Sequence, residues 1–256
     1  MIRKNVRDLA HNGIVYSYPT GDMDILCSTS AIFMEPGWEA EDNVPNGHIV
    51  TPRQAGKKSD GDDMVRSMRR ARAKLRRLAL ANDFQYFVTL TLSPQKIDRY
   101  DGAAVTKALN RWTDNMVRRH GLRYVLVPEL HKDGAVHFHG FMAGAGLKAE
   151  YSGHGDKAGR MIYNLPQWTL GFSTAQELYG DYAAAVAYCC KYIGKQDGQR
   201  PLGRWYYSGG GLKEPEKTYV DLDYSTIDDG MENSLEFSIP GAKMKVIHTK
   251  GAKKND

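Results

Sequence analysis

Hydrophobic and polar positions change their period several times along this chain. Residues 84–92 (FQYFVTLTL) are β-branched and aromatic and stop at Ser93-Pro94, which predicts a strand. From Ala103 to His120 the apolar residues Val105, Leu109, Trp112 and Met116/Val117 recur at 3–4 spacing, and Gly121 ends the helix they predict. Arg123–Leu130 and Val136–Met142 predict a hairpin, followed by a Gly- and Lys-containing excursion from Ala143 to Arg160. One more strand is expected near Trp168–Leu178. A helix over Asp181–Lys195 follows, broken by Gly194 and Gly198. This order predicts an α+β domain on one antiparallel sheet, with its core at residues 84–200.

The flanks carry weaker patterns. Residues 62–83 (DDMVRSMRRARAKLRRLALAND) predict a basic helix that opens on two aspartates, where the helix dipole favours acids. Met64, Met68, Leu75 and Leu78 form its apolar stripe. Residues 1–61 hold short β-like runs at 13–18 and 25–34, then a Pro/Gly/Asn-rich piece, and read as an arm and linker. Residues 201–256 read as a C-terminal extension with a lysine-rich tail over Lys243–Lys254.

Composition narrows the classes. The chain has 256 residues, 41% of them hydrophobic, with mean hydropathy −0.53 and mass 28.7 kDa. That is ordinary for a soluble domain, and no apolar run approaches the ~18 residues of a membrane span. The basic N-terminus lacks the apolar segment of a signal peptide. Three cysteines, two of them adjacent (Cys189, Cys190), support neither a disulfide framework nor a zinc knuckle. A cytoplasmic protein with no membrane partner is expected. No G-x-x-x-x-G-K-[ST] loop occurs, which argues against an attached ATPase or helicase. Net charge is +5, concentrated in the 62–83 helix, where Arg69, Arg70, Arg76 and Arg77 are candidate phosphate contacts. Arginine-rich helices also serve as merely solvated faces.

The densest chemistry lies in Glu129-Leu-His131-Lys-Asp-Gly-Ala-Val-His137-Phe-His139. Alternate residues of a strand share a face, so His137 and His139 sit roughly 6.5–7 Å apart on one side. A three-residue loop Asp133-Gly134-Ala135, with Gly134 left-handed, pairs His131 with His137 and Glu129 with His139. All four then share a face; a two-residue Asp-Gly turn would place Glu129 and His131 on the other. Two imidazoles and a carboxylate suit a divalent cation that keeps positions open for substrate oxygens. Glu129 is the preferred third ligand, with His131 as the alternative.

Tyr188 and Tyr192 stand four apart on the last expected helix, with Lys191 on the same flank. A free phenol has a pKa near 10 and needs a nearby cation to serve as a phenolate nucleophile at neutral pH. A metal cluster beside two phenols suits attack on a metal-polarised phosphodiester.

These residues resemble the HUH endonuclease superfamily, specifically rolling-circle replication initiators of small single-stranded-DNA phages and related plasmids. Phe87–Ser93 resembles that family's first strand motif, Glu129–His139 its metal motif, and Tyr188-Cys-Cys-Lys191-Tyr192-Ile-Gly-Lys195 its two-tyrosine motif. The resemblance implies a five-stranded antiparallel sheet with flanking helices and a Mg²⁺ or Mn²⁺ ion. It implies His137 and His139 as metal ligands, Glu129 in the place of a variable third ligand, and Tyr188 and Tyr192 as nucleophiles. The implied reaction nicks a single-stranded or hairpin origin, leaving a 5′-phosphotyrosine and a free 3′-OH in the host cytoplasm, with a host helicase and polymerase as partners. Transposases and relaxases of the same superfamily are the nearest rivals. A metal-dependent oxygenase or hydrolase, and a non-catalytic DNA-binding module, are the rivals from other classes.

Overall fold

Side-chain alternation decides which residues of a strand face which layer, and the computed structural model of this chain carries that alternation across two sheets. The structure describes residues 10–35, 61–195, 200–228, 231 and 234–251. Two compact units form: Met1–Lys58 with Pro215–Asp256, and Ser59–Glu214. In chain order the first elements are β1 (Ala10–His11), β2 (Gly13–Ser17), β3 (Met23–Ser28), β4 (Phe33–Met34) and α1 (Gly61–Leu80). There follow β5 (Tyr86–Leu92), α2 (Gly102–His120), β6 (Arg123–Leu130) and β7 (Val136–Ala143). Next come β8 (Glu150–Gly155), β9 (Met161–Asn164), β10 (Gly171–Glu177) and α3 (Tyr182–Cys190). The last are β11 (Tyr207–Gly209), β12 (Glu216–Val220), β13 (Ser234–Ile239) and β14 (Ala242–Thr249).

The ends of the chain fold together. Their sheet has the order β12-β2-β3-β14-β13 with antiparallel neighbours. This corrects the division into an N-terminal arm and a separate C-terminal extension. Neither flank has enough strands to bury a face alone. Ile14, Ile25, Cys27, Met244 and Ile247 are buried in the sheet to which both contribute. Of the expected lysine-rich tail, Lys243 and Lys245 lie in β14, and Lys245 is buried against Asp228. Residues 252–256 of that tail, and 36–60 of the expected linker, fall outside the described residues.

The middle unit is built on a sheet of order β11-β6-β7-β5-β10-β9-β8, antiparallel throughout. The α+β class and antiparallel pairing are as expected. The five-strand count fits the sheet of the chain's ends; the sheet under the candidate site has seven. The additions are β11, beyond the expected core boundary at 200, and β8, inside the 143–160 excursion, which pairs with β9. Gly153, Gly155 and a register shift between Tyr151 and His154 mask that strand's alternation.

One face of this sheet is a closed apolar core. Val88, Leu90, Leu92, Leu126, Val136, Phe138, Met142 and Ala175 pack with Val105, Leu109, Trp112 and Met116 of α2. Both ends of α2 are capped as the sequence predicts. The Asp101 side chain accepts from the Ala103 and Ala104 amides, and Gly121, at φ 61°, donates back to Met116 and Val117. The opposite face carries the odd-numbered residues of β7. There Tyr182 of α3 packs on Phe141 at 6.1 Å, and α1 lies against α3 with Leu75, Leu78 and Ala79 buried. Gly140 between the two strands that flank β7 is required by packing: a Cβ there would sit 1.9 Å from the Val125 carbonyl oxygen.

Helix α3 stops at Cys190 rather than Lys195. The following residues tighten into i→i+3 turns, from Lys191 to Tyr188, Tyr192 to Cys189, Ile193 to Cys190 and Lys195 to Tyr192. Gly194 takes φ 75° within that run. A Cβ there would lie 2.1 Å from the Met68 sulfur, so α1 presses directly on the segment that follows Tyr192.

Candidate active site

The hairpin turns one residue earlier than the sequence suggests. The His131 amide donates to Ala135 and the Gly134 amide to His131, leaving Lys132-Asp133-Gly134 as the loop, with Gly134 at φ 85°. Glu129 therefore pairs with His137, and Val127 with His139. The expected pairs, His131 with His137 and Glu129 with His139, are wrong by two positions. A two-position shift leaves every residue on its face, which is why the grouping of Glu129, His137 and His139 survives. His131 does not join them. It sits at the mouth of the loop, 65% exposed in its side chain and 3.3 Å from Asp133.

Glu129, His137 and His139 each offer one ligand atom, and these atoms lie within 4.8 Å of one another. Glu129 Oε2 is 3.0 Å from His137 Nε2 and 2.8 Å from His139 Nε2, and its Oε1 accepts from Lys195 Nζ at 2.5 Å. Burial alone would raise the Glu129 pKa. The Lys195 hydrogen bond and the charges of His139, Lys195 and His137 outweigh it and hold the carboxyl below its usual range. Burial, with His137 as neighbour, brings His139 down to about 4, and burial also lowers His137. The set is thus an ionised carboxylate and two neutral imidazoles at physiological pH, which is the protonation state a metal site needs.

Thr89 Oγ1 lies 3.1 Å from His139 Nδ1 and points Nε2 toward Glu129. A hydroxyl both donates and accepts, so Thr89 can serve either tautomer of that ring. While His139 Nε2–H donates to Glu129, Thr89 donates to Nδ1; once Nε2 gives its lone pair to a cation, Nδ1–H donates to Thr89.

The tyrosines converge on this group. The Tyr192 ring stacks on His139 at 3.9 Å and 12°, and its hydroxyl donates to the Tyr188 hydroxyl at 2.7 Å. Tyr188 is 52% exposed and stands edge-on to Phe87 at 5.9 Å. Burial, then the Tyr188 hydrogen bond, pushes the Tyr192 pKa well up, so Tyr192 keeps its proton and donates it.

Lys191, the expected partner of the phenols, is exposed. The cation that enters the site is Lys195, bonded to Glu129 and 5.2 Å from the centre of the Tyr192 ring. Its sequence signal was the spacing 188, 192, 195, the i, i+4, i+7 pattern of one helical face.

The basic helix has mixed uses. Arg69 and Arg70 are exposed, whereas Arg76 and Arg77 are partly buried. Arg72, which charge counting did not distinguish, donates from Nε and Nη2 to the Ile193 carbonyl at 3.0 and 2.6 Å. Lys74 pairs with Glu214 at 2.5 Å. This helix therefore holds the turn that carries Tyr192 as well as displaying charge.

The segment holding Thr89, the β6–β7 hairpin, both tyrosines and Lys195 is also the segment with recognisable kin. Residues 85–197 match the family model of the replication-associated protein ORF2. That match is consistent with a rolling-circle replication initiator. No curated protein and no solved structure matches the chain. Among the described residues no helix is long and apolar enough to cross a membrane.

Proposed function

We propose that this protein is a metal-dependent, site-specific endonuclease of the HUH type that nicks and rejoins single-stranded origin DNA to initiate rolling-circle replication. The observation that carries the reading is the convergence of Tyr192 and Tyr188 on the Glu129–His137–His139 group. The replication-associated family match over the same residues supports it.

The donor set fits a divalent cation such as Mg²⁺ or Mn²⁺, with a carboxylate oxygen and two imidazole nitrogens already facing one another. Such an ion, held by Glu129, His137 and His139, would neutralise charge on the scissile phosphate and orient it. Tyr188 is the first nucleophile, because its oxygen accepts the Tyr192 proton and so favours a phenolate. Its own proton leaves to solvent, its oxygen bonds phosphorus, and the P–O3′ bond breaks. The departing 3′ oxygen takes a proton, which leaves a 3′-OH primer and a 5′-phosphotyrosine. Tyr192 supplies a second phenol for a second transfer. Lys195 keeps Glu129 ionised, and the exposed Arg69 and Arg70, with Arg76 and Arg77, contact the DNA backbone. Unwinding falls to a host helicase and extension to a host polymerase.

The test is a pool of labelled single-stranded oligonucleotides incubated with the protein and Mn²⁺, with a denaturant-resistant conjugate as readout. Tyr188→Phe should abolish the conjugate. Tyr192→Phe should leave the first nick and impair joining. No conjugate from the unaltered protein with any origin sequence would sink the proposal, and an undiminished one in Tyr188→Phe would remove that residue as first nucleophile.

A further inference from the structure

The face that holds Glu129, His137 and His139 continues outward across two more strands. Register places Glu129, His137, Thr91 and Phe172 in one row, and Val127, His139, Thr89 and Thr174 in the next. Opposed residues of neighbouring strands share a face, so Phe172 and Thr174 of β10 stand on the same side as the imidazoles. Two strand spacings, about 10 Å, separate Phe172 from His137.

Helix α3 covers only one end of this face, through Tyr182 on Phe141 and Tyr188 on Phe87. Toward the other end Thr91, Thr174 and Phe172 are exposed. Phe172 is 81% exposed, the highest value among the large hydrophobic residues of the described chain. An isolated exposed apolar residue needs no explanation by itself. Here the exposed ring belongs to a row that begins at the candidate ligands and is flanked by hydroxyls able to hydrogen-bond a sugar or phosphate.

We infer that Phe172 is a stacking platform for one base of the single strand, adjoining the phosphate that the Glu129–His137–His139 group holds. The inference rests on the tyrosine–metal reading above and adds a nucleotide subsite to it. An aromatic ring stacks any base, so the platform aligns the strand without reading its sequence. The strand then runs along the row from Phe172 over Thr91 to the imidazoles, which sets the scissile bond against the tyrosines.

The probe is a labelled single-stranded oligonucleotide of mixed sequence spanning the nick site recovered from the conjugate. Its binding to the full chain is followed by fluorescence anisotropy without divalent metal, so that no cleavage intervenes. A companion set replaces one nucleotide at a time by an abasic residue. The unaltered protein should lose roughly tenfold in affinity at one position beside the nick. Phe172→Ala should bind the intact strand about tenfold more weakly and become indifferent to that same abasic position, while Phe172→Trp restores both. Tyr151 is the control. It is 57% exposed, and its pairing through Tyr163 to Ala175 puts it on the α2 side of the sheet. Tyr151→Ala should change nothing. Unchanged affinity in Phe172→Ala, an unchanged abasic profile, or an equal loss in Tyr151→Ala would each overturn the platform. Conjugate formation by the unaltered protein separates the two levels. A conjugate without a Phe172-dependent position ends this inference alone, and no conjugate ends the reading beneath it.

Discussion

The same strands of the seven-stranded sheet present two faces with opposite physical character. Under α2, Val88, Leu90, Phe138 and Met142 have no measurable exposure and satisfy one another by packing. On the other side, which α3 covers only in part, Glu129 and His139 are buried yet polar, and Thr91 and Phe172 are open to solvent. A buried carboxylate is tolerated there because two imidazoles and a lysine all bond to it. The closed face supplies stability and rigidity. The open face gives up some of that stability for donors whose mutual hydrogen bonds a cation can replace.

The contrast can be broken first on the closed side. Phe138→Ala removes a ring with no exposure and should cost about 3–5 kcal/mol in denaturant unfolding. The Mn²⁺ affinity of the molecules that remain folded should be unchanged. A loss below about 1 kcal/mol would show that the α2 face is not the tight core described here. Next comes the clamp between α1 and the tyrosine turn. Arg72→Ala removes charged hydrogen bonds to the Ile193 carbonyl, an expected loss of about 2 kcal/mol. Hydrogen exchange of the amides at 191–195 should speed up, and Arg72→Lys should not restore it, because a single ammonium cannot copy the two-pronged contact. Unchanged exchange would mean that α1 does not hold this turn. The smallest expected effect is on the open side. Thr89→Val should lower Mn²⁺ affinity about tenfold by calorimetry while leaving unfolding unaffected, with Thr89→Ser recovering it. Equal affinity in Thr89→Val would show that His139 needs no partner at Nδ1.

Legibility in the sequence followed the range of the signals. Helix α2 was readable at both ends, since its periodicity, Asp101 and Gly121 all act within a few residues. The grouping of Glu129 with His137 and His139 was readable by parity, and it withstood a loop misplaced by one residue. Lys195 was obscured because α3 ends at Cys190 and the chain tightens, so a flank drawn from uniform helix geometry favoured Lys191. Arg72 was one basic residue among seven in its helix. Only its position opposite Ile193 sets it apart. The partnership of residues 13–28 with 216–249 was illegible, because strand pairing across some two hundred residues leaves no local period.

By itself the sequence determined the alternation of the strands, the caps of α2, and a face carrying a carboxylate and two imidazoles, because each of these is set by neighbours in the chain. Tertiary structure alone decided which lysine meets Glu129, that Tyr192 lies flat on His139, and that Phe172 stands in the same row as His137. Those are contacts between segments far apart in the chain, and their geometry follows from how sheet and helices pack rather than from any spacing along it.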